Sequence, residues 1–364
     1  MIPTASLPDY VFRGGEQVWR PPFSARQVEL YGLVTQAHKP AIDLLLQRDL
    51  VLPSGGAVDY RCAHENVIVT FGLIERESSG DPVDSQRGYL TEREVSVWCL
   101  VADMNAGGRL VWYLPYIYTD SEQTIATGRE VFGYPKQLGY FDDGFIGALA
   151  GPAAGSTTIQ TLAIDPFDPD ERAVKRDMIS IERVPGAGAI ASQPSILQEL
   201  ELFFPHGLSV DPGLPSGPLG APSGTITVAG SAPPARRPGL PPWITGILSA
   251  LEGKVLTGDP SDLILDLVSN PTLVFLKQFR DITCATKACY QAVTEAPLAI
   301  DVVGADYEML DPSLFRLTIE NWASDPVARE LGIDAGAPII PDRAFRATFG
   351  FDIQLGLEVW RAPT

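Results

Sequence analysis

Residues 94–118, EVSVWCLVADMNAGGRLVWYLPYIY, give the clearest indication of the fold class. The two ends of this stretch, residues 94–101 and 110–118, alternate apolar and polar side chains with a period of two, as half-buried β-strands do. Between them, the NAGG quartet at 105–108 is typical of a hairpin turn, because glycine accepts positive φ values. Pro115 has no N–H to donate to a neighbouring strand, so it predicts an edge or a bulge there.

Similar patterns extend the prediction along the chain. Alternation predicts further strands at residues 66–74, 156–164, 271–280, 288–303, 315–320 and 343–360. Helical spacing predicts short helices at residues 40–48, 121–131, 194–203 and 242–252. Many antiparallel strands with few helices predict an α+β, mainly antiparallel β fold. We expect these strands to close into a barrel with a few flanking helices.

One segment interrupts the strand pattern. Residues 211–242 contain nine prolines and six glycines, a composition that cannot build a core and is typical of a loop or linker. It could separate two independent domains or interrupt a single one. We favour a single domain over residues 1–364, with a Pro/Gly-rich insertion at about residues 204–242, because strands are predicted on both sides.

The charge balance argues against several partners. Lys and Arg number 27 and Asp and Glu number 45, which gives a net charge of −18. An acidic surface repels phosphate backbones and anionic lipids, so neither nucleic acid nor a membrane is an expected partner. No apolar run approaches the ~20 residues of a spanning helix, and no secretory signal is readable at the start. We therefore expect a cytoplasmic protein.

The motif inventory excludes other chemistries. The four cysteines include no CxxC pair, and the three histidines have no HExxH spacing. We therefore expect no metal site and no cofactor. The absence of GxSxG, GxxxxGK[ST] and GxGxxG motifs argues against a serine hydrolase, a P-loop enzyme and a dinucleotide-dependent dehydrogenase.

The most informative motif is GREVFGYPKQLGY, residues 128–140. Gly133 permits a turn, and Pro135 fixes the backbone directly before Lys136. Apolar bulk flanks this lysine, at Phe132, Tyr134, Leu138 and Tyr140. Burial among such side chains disfavours the ammonium form and lowers a lysine pKa, which leaves a neutral amine able to attack a carbonyl group. The alternative is an exposed lysine in a turn.

The required shift in pKa is large. A lysine of pKa about 10.4 is neutral in only about one part in 2,500 at pH 7. Lowering the pKa by about 3 to 4 units corresponds to about 4 to 5 kcal/mol, which desolvation can supply. This hypothesis requires that Lys136 lies out of bulk solvent and that no carboxylate holds it as a cation.

The segment also resembles a known family. Residues 128–130, 133–136 and 138–140 are similar to the signature of the acetoacetate decarboxylase family, and weaker similarity covers much of the chain. In that family the lysine that follows the proline forms a Schiff base with the substrate. The resemblance implies that Lys136 is catalytic, that the fold is an acetoacetate-decarboxylase-like barrel, and that the chain forms a homo-oligomer.

The resemblance also implies carboxylates near the lysine. The family has a glutamate on the strand before the signature, and Glu94 fits it best. Glu92 lies two residues earlier, on the same face of the strand, and is the second choice. A further family carboxylate belongs on the strand at 66–74, where only Thr70 and Phe71 stand nearby. We therefore expect this second carboxylate to be absent.

Substrate-binding residues follow from the same resemblance. The family has an arginine shortly after a phenylalanine near its amino terminus, and Phe23 followed by Arg26 matches it. Arg26 is the expected partner of a substrate carboxylate, with a surface arginine as the alternative. Phe132 and Tyr134 are expected to line the substrate pocket.

Two departures leave the reaction open. Gln137 stands where decarboxylases of the family carry a second lysine, and Phe132 stands where the aldolase-dehydratases tend to carry a glutamine. We predict a lyase that decarboxylates a 3-oxo acid or related keto acid through an imine on Lys136. The alternatives are an aldolase-dehydratase or cyclase acting on a 2-oxo acid through the same imine, and a non-catalytic binding barrel.

Overall fold

The structure is a computed structural model that describes residues 7–12, 18–150, 153–186, 270–301 and 304–363. The Pro/Gly-rich insertion and the helices predicted at 194–203 and 242–252 lie outside the described residues.

Strands dominate the described part of the chain. They are β1 (Phe23–Gln36), β2 (Tyr60–Ser79), β3 (Leu90–Asp103), β4 (Arg109–Thr119), β5 (Lys136–Leu138), β6 (Tyr140–Phe141), β7 (Gly155–Ala163), β8 (Val174–Arg183), β9 (Thr272–Arg280), β10 (Ala288–Ile300), β11 (Asp306–Leu310), β12 (Phe315–Ile319), β13 (Arg343–Ile353) and β14 (Leu357–Arg361). The strands predicted at 156–164, 271–280, 288–303 and 315–320 are confirmed, whereas 343–360 divides into β13 and β14. The mainly antiparallel β prediction is confirmed.

The α-helices in the described ranges are short. They are α1 (Lys39–Leu46), α2 (Glu122–Thr127) and α3 (Val327–Leu331). The first two each continue into a π-helical turn, Gln47–Val51 and Gly128–Phe132. Ser121 caps α2 by accepting a hydrogen bond from the Thr124 amide at 3.3 Å. No helix among the described residues has the length and apolar character needed to cross a bilayer.

The larger sheet joins strands from both sides of residues 187–269. Its order is β11-β13-β1-β2-β3-β4-β9-β10-β14, and β5 pairs with β4. In addition, β13 pairs with β10 as well as with β1, so the pairings return to their starting strand. Most pairs are antiparallel, but β4 is parallel to both β5 and β9.

A smaller sheet, in the order β12-β8-β7-β6, packs on the larger one. Their shared core contains Val69 and Phe71 from β2 together with Ile159 from β7, Ile179 from β8 and Leu317 from β12. All five are almost completely buried. Removal of this apolar surface from water is the main stabilising contribution to the stacking of the two sheets.

The hairpin between β3 and β4 confirms two predictions. Gly107 and Gly108 adopt φ values of +69° and +85° in the turn. Between the pairs Val97–Tyr116 and Cys99–Tyr113 the register slips by one residue, so Pro115 lies in a bulge. A bulge leaves a residue unpaired, which accommodates the missing N–H of proline.

The sequence patterns missed β1, β5, β6, β8 and β11 and predicted only the middle of β2. In β1 the alternation is broken by a register shift between Ala25 and Val28, where Gln27 has a φ of +54°. The strand predicted at 66–74 in fact runs from Tyr60 to Ser79. Its last five residues prove to matter for the site.

Candidate active site

Lys136 is the first residue of β5, paired in parallel with Ile117 of β4. Its side chain is 8% exposed. A Cβ atom on Gly128 would lie 3.2 Å from Cδ of Lys136 and 3.3 Å from Cδ2 of Tyr134, so only glycine fits there without displacing a neighbour. The lysine is therefore not an exposed turn residue.

The turn before Lys136 depends on a second glycine. Gly133 ends the π-helical turn with a φ of +84°, and the Tyr134 amide donates to the Gly128 carbonyl at 3.0 Å. A Cβ atom on Gly133 would lie 2.6 Å from Cα of Lys277 on β9. The GYPK sequence thus combines a left-handed conformation with close contact to a neighbouring strand.

Aromatic rings pack beside the lysine. Phe132 stacks on Tyr134 with 5.0 Å between ring centroids, and Tyr134 lies 4.4 Å from Phe275. Phe23 meets Phe132 edge to face at 5.9 Å. Phe132 and Tyr134 are 2% and 6% exposed, whereas Leu138, also expected to flank the lysine, is 41% exposed.

Two carboxylates from β3 contact the lysine nitrogen. Glu92 Oε1 lies 2.7 Å from Lys136 Nζ, and Glu94 Oε2 lies 3.2 Å from it. Both point to the same face because they are two residues apart on a strand. Glu94 is the partner that the resemblance favours, but Glu92 is closer to the lysine nitrogen and more buried. The Thr124 hydroxyl also donates to Glu92 Oε1, at 2.8 Å.

A third carboxyl group reaches the cluster from β2. Ile74 pairs with Glu92, and the next recorded pair is Glu77 with Leu90, so β2 contains one extra residue there. This bulge turns Glu77 onto the face of Glu92, where strict alternation would have put Arg76. The carboxyl groups of Glu77 and Glu92 are hydrogen-bonded to each other. The expectation that β2 supplies no carboxylate is therefore wrong.

These three glutamates, the carboxyl cluster, differ in their ionisation. Burial and the charge of Glu92 raise the pKa of Glu77 well above its ordinary value, so Glu77 carries the proton of their shared hydrogen bond. Burial also raises the pKa of Glu94, and Lys136 offsets this only in part. Burial opposes ionisation of Glu92 as well, but Lys136 and the hydrogen bonds from Glu77, Lys136 and Thr119 lower its pKa. Of the three carboxyl groups, Glu92 is therefore the one whose environment favours the ionised form.

The predicted depression of the Lys136 pKa is wrong. Burial alone would lower the pKa of Lys136, but the charges of Glu92, Glu94 and Glu77 and the hydrogen bond to Glu92 raise it above its ordinary value. An opposite charge within about 4 to 6 Å favours the charged form of a group. These contacts favour the ammonium form of the resting lysine, paired with the carboxylates of Glu92 and Glu94.

Two polar atoms of this region have no hydrogen-bond partner among the described residues. They are the buried hydroxyl of Tyr134 and the buried Oε2 of Glu77. Burial raises the pKa of the Tyr134 hydroxyl, and Lys136 and the carboxyl cluster lie near enough to act on it electrostatically. Buried polar groups are normally satisfied, and such exceptions are explained by a bound water or ion or by a catalytic role.

The structure does not bring Arg26 to this cluster. Its guanidinium donates to Asp352 Oδ1 at 2.7 Å and to the Phe351 carbonyl at 2.8 Å, and its side chain is 46% exposed. The expected role of Arg26 in holding a substrate carboxylate is therefore not supported, because its donors are already engaged at the surface. No group of three or more potential metal ligands occurs among the described residues.

Comparison with known proteins gives a consistent result. Residues 65–144, which include the carboxyl cluster and Lys136, match the family model of acetoacetate decarboxylase. No curated protein sequence gives a significant match.

Similar solved structures share the fold at low identity. Acetoacetate decarboxylase from Legionella pneumophila subsp. pneumophila str. Philadelphia 1 has a TM-score of 0.53 at 10% identity, over 98% of this chain and 93% of that one. An acetoacetate decarboxylase-like enzyme from Sphingomonas wittichii RW1 has a TM-score of 0.50 at 10% identity, over 95% of this chain and 96% of that one. This chain thus resembles the acetoacetate decarboxylase family in the sequence of residues 65–144, and it shares the fold of these solved structures.

Proposed function

We propose that the chain is a carbon–carbon lyase of the acetoacetate decarboxylase type, in which Lys136 forms an imine with a substrate carbonyl group. The observation that carries this proposal is the contact of one buried lysine nitrogen with two carboxylates, at 2.7 and 3.2 Å, whose pKa values shift in opposite directions. Groups whose environments separate their pKa values are typical of sites that divide acid and base roles.

Glu94 is the proposed proton acceptor for the resting ammonium. A neutral amine forms when Lys136 passes one proton to the carboxylate of Glu94, whose pKa is raised by burial. This transfer converts a buried ion pair into two neutral groups, which a dry environment favours. The proton moves only from Lys136 to Glu94, so the step does not require release of a proton to solvent.

The remaining groups support the addition to the carbonyl. The amine of Lys136 attacks the carbonyl carbon, and the carbonyl oxygen takes a proton to give a carbinolamine. The Tyr134 hydroxyl, which has no hydrogen-bond partner among the described residues, is the donor proposed for that oxygen. Loss of water then gives a protonated imine, whose positive charge Glu92 stabilises as it stabilised the ammonium.

The protonated imine accepts the electron pair of a bond to the neighbouring carbon. In a 3-oxo acid that bond joins the carboxylate, so carbon dioxide leaves and an enamine forms. In a 2-oxo acid, loss of a proton gives an enamine that adds to an aldehyde, followed by loss of water. Both reactions share the imine, which is the step that the geometry supports.

A non-catalytic binding pocket is the second candidate. The observation that favours it is the raised pKa of Lys136, because an ammonium ion is not a nucleophile. In this case Lys136 and the carboxyl cluster would hold a ligand through hydrogen bonds without forming a covalent bond.

Reductive trapping separates the two candidates. The protein is incubated with a low concentration of acetone and sodium cyanoborohydride, and the modified lysine is identified by peptide mass spectrometry. We expect Lys136 to be modified much faster than the surface residue Lys175. The variant Lys277→Met should keep the adduct and Lys136→Met should lose it. Absence of an adduct on Lys136 would leave only the binding pocket.

We also interpret the ring of pairings from β13 through β1 to β10 as a closed barrel, and the chain 1–364 as a single domain. Supporting this interpretation, β13 pairs at both ends of the run, and β9 and β10 follow residues 187–269 yet belong to the same sheet as β1–β4.

A further inference from the structure

We infer that a chain of hydrogen bonds behind Glu94 keeps this carboxyl group ionised and directed to Lys136. The positioning residues that form it, the donor chain, are Ser96, Thr70 and Trp98. The inference rests on the proposed function, in which Glu94 accepts a proton from Lys136, and it names the groups that prepare Glu94 for that step.

The donor chain lies on the same face of the sheet as Glu94. Glu94, Ser96 and Trp98 are spaced two residues apart on β3, so their side chains point to one face. Thr70 of β2 pairs with Ser96 and therefore lies beside it on that face. Ser96 and Thr70 are 1% and 6% exposed, so both hydroxyl groups are largely shielded from water.

Short contacts connect the indole of Trp98 to Glu94. Trp98 Nε1 donates to Thr70 Oγ1 at 3.0 Å and to Ser96 Oγ at 2.9 Å. The two hydroxyl oxygens lie 2.8 Å apart. The Ser96 hydroxyl is in turn hydrogen-bonded to the carboxyl group of Glu94, whose Oε2 lies 3.2 Å from Lys136 Nζ. The donor chain thus ends on a carboxyl group that contacts the lysine.

The chemistry of these groups determines the direction of the hydrogen bonds. An indole N–H can only donate, a carboxylate can only accept, and a hydroxyl has one proton to donate. With Glu94 ionised, Ser96 donates its proton to the carboxylate, and Thr70 donates to Ser96. Each group therefore donates toward Glu94, and hydrogen bonds in such a series strengthen one another.

The charge of Glu94 depends on this donor. Titratable groups from three segments lie near enough to act on it; they are Glu77 of β2, Glu92 of β3, and Tyr134 and Lys136 of the GYPK turn. Burial and the charge of Glu92 raise the pKa of Glu94, whereas Lys136 and the hydrogen bond from Ser96 lower it. A protonated Glu94 could not accept the lysine proton, so the bond from Ser96 prepares Glu94 for the transfer.

The donor chain also accommodates the protonated form of Glu94. After the transfer, the carboxyl O–H donates to Ser96 and Ser96 donates to Thr70. Thr70 then donates to the main-chain carbonyl of Ser96 at 3.4 Å. Only the ionised form accepts a charge-assisted hydrogen bond, which is about twice as strong as a neutral one. The chain therefore favours the carboxylate, yet Glu94 can take the proton and later return it.

Removal of the last donor tests this inference. In Ser96→Ala we expect the pKa of Glu94 to rise by about 1 to 2 units, the effect of losing a hydrogen bond to a charged group. The pKa is measured by NMR of the full chain labelled at the glutamate Cδ atoms, with Glu94→Gln to assign the signal.

A second variant and a control keep the test independent of packing changes at Ser96. Thr70→Val keeps the shape of the side chain but removes its donor, so we expect a smaller rise, and Thr70→Ser should restore the original value. Thr157→Val is the matched control, because the buried Thr157 hydroxyl has no hydrogen-bond partner among the described residues. It should leave the pKa of Glu94 unchanged.

The pH dependence of trapping connects the donor chain to the lysine. Trapping of acetone on Lys136 is followed from about pH 5 to pH 9 and divided by trapping on Lys175. Because only ionised Glu94 accepts the lysine proton, the normalised rate falls on the acid side. In Ser96→Ala this fall should move to higher pH by about the rise in the pKa of Glu94.

The outcomes separate this inference from the proposed function. An unchanged pKa of Glu94 in Ser96→Ala, or an equal rise in Thr157→Val, would overturn the inference. So would a raised pKa that leaves the pH dependence of trapping unmoved. Absence of an adduct on Lys136 in the original protein would instead contradict the proposed function, and the pKa of Glu94 in the variants would still show whether the donor chain acts on it.

Discussion

Two lysines on either side of the GYPK turn, the buried Lys136 and the half-buried Lys277, have opposite environments. Lys136 contacts Glu92 and Glu94, whereas Lys277 donates to the main-chain carbonyl of Val131 at 3.1 Å and lies 5.2 Å from the ring centroid of Tyr290. Burial lowers the pKa of Lys277. Burial acts on Lys136 as well, but the negative charges of Glu92, Glu94 and Glu77 outweigh it and raise the pKa of Lys136.

The comparison shows that burial does not by itself identify a nucleophile. Lys277 has the pKa lowered by burial that a nucleophilic lysine is expected to have. Its hydrogen-bond partner, however, is a carbonyl oxygen, which cannot accept a proton at neutral pH. Lys136 does not have a lowered pKa, but it has a proton acceptor at 3.2 Å in Glu94. We therefore assign the chemistry to Lys136 from its partners.

The largest expected effect follows from removing the closest partner. Glu92→Gln keeps the size of the side chain but removes the charge 2.7 Å from Lys136 Nζ. We expect the pKa of Lys136 to fall by about 1 to 3 units, the range for loss of a nearby opposite charge. The pKa is measured by NMR of lysines labelled at Nζ. Glu94→Gln is the matched control, with a smaller fall; an unchanged pKa in Glu92→Gln would show that Glu92 does not hold the ammonium.

The next largest effect is expected on stability, from the close contact between Gly133 and the backbone of Lys277. Gly133→Ala adds a Cβ atom 2.6 Å from Cα of Lys277, at a φ of +84°. Left-handed strain alone lowers the free energy of unfolding by about 1 to 2 kcal/mol. We expect a larger fall for Gly133→Ala, because its Cβ atom also meets the backbone of Lys277. Gly107→Ala is the control, since its φ is +69° but no atom lies within 4 Å. Equal losses in denaturant titrations would mean that the contact is unimportant.

The third prediction concerns the protonated carboxyl of Glu77. Its folded-state pKa is raised, so its contribution to stability is fully present below the unfolded value of about 4.3 and is lost as pH rises through the folded pKa. Glu77→Gln keeps a donor for Glu92 but does not titrate. We expect the Tm of the variant, relative to the original protein, to increase between pH 5 and pH 8. A constant or decreasing difference would indicate that Glu77 is ionised in the fold.

The smallest effect is expected at Arg26. Its ion pair with Asp352 joins side chains that are 46% and 38% exposed, so Arg26→Ala should change the free energy of unfolding by about 0 to 1 kcal/mol. Trapping of carbonyl compounds on Lys136 should be unchanged. A tenfold loss of trapping in Arg26→Ala would instead indicate that Arg26 takes part in substrate binding.

The sequence predicted what depends on local spacing. Period-two alternation places Glu92 and Glu94 on one face of β3, and the GYPK motif marks Lys136. Strict alternation does not reveal the bulge in β2. Glu77 was therefore not predicted to lie on the face of Glu92, where alternation would place Arg76. The charge state of Lys136 could not be predicted for a related reason. Carboxyl groups on β2 and β3 determine it, and the sequence pattern predicts no carboxylate from β2.

Contacts between distant segments were equally hidden. Arg26 pairs with Asp352, 326 residues away in the sequence, and only the pairing of β1 with β13 brings them together. A motif match at one end of the chain gives no information about such a competing partner. The arginine was therefore plausible as a substrate ligand until the sheet order was known.

The most direct test of this account is the order in which the two lysines titrate. The chain has six lysines, so their Nζ signals can be assigned by NMR with the variants Lys136→Met and Lys277→Met. We predict that Lys277 loses its proton first and that Lys136 remains a cation beyond the ordinary lysine pKa of about 10.4. Loss of the Lys136 proton at or below the pH at which Lys277 titrates would contradict control of Lys136 by the carboxyl cluster.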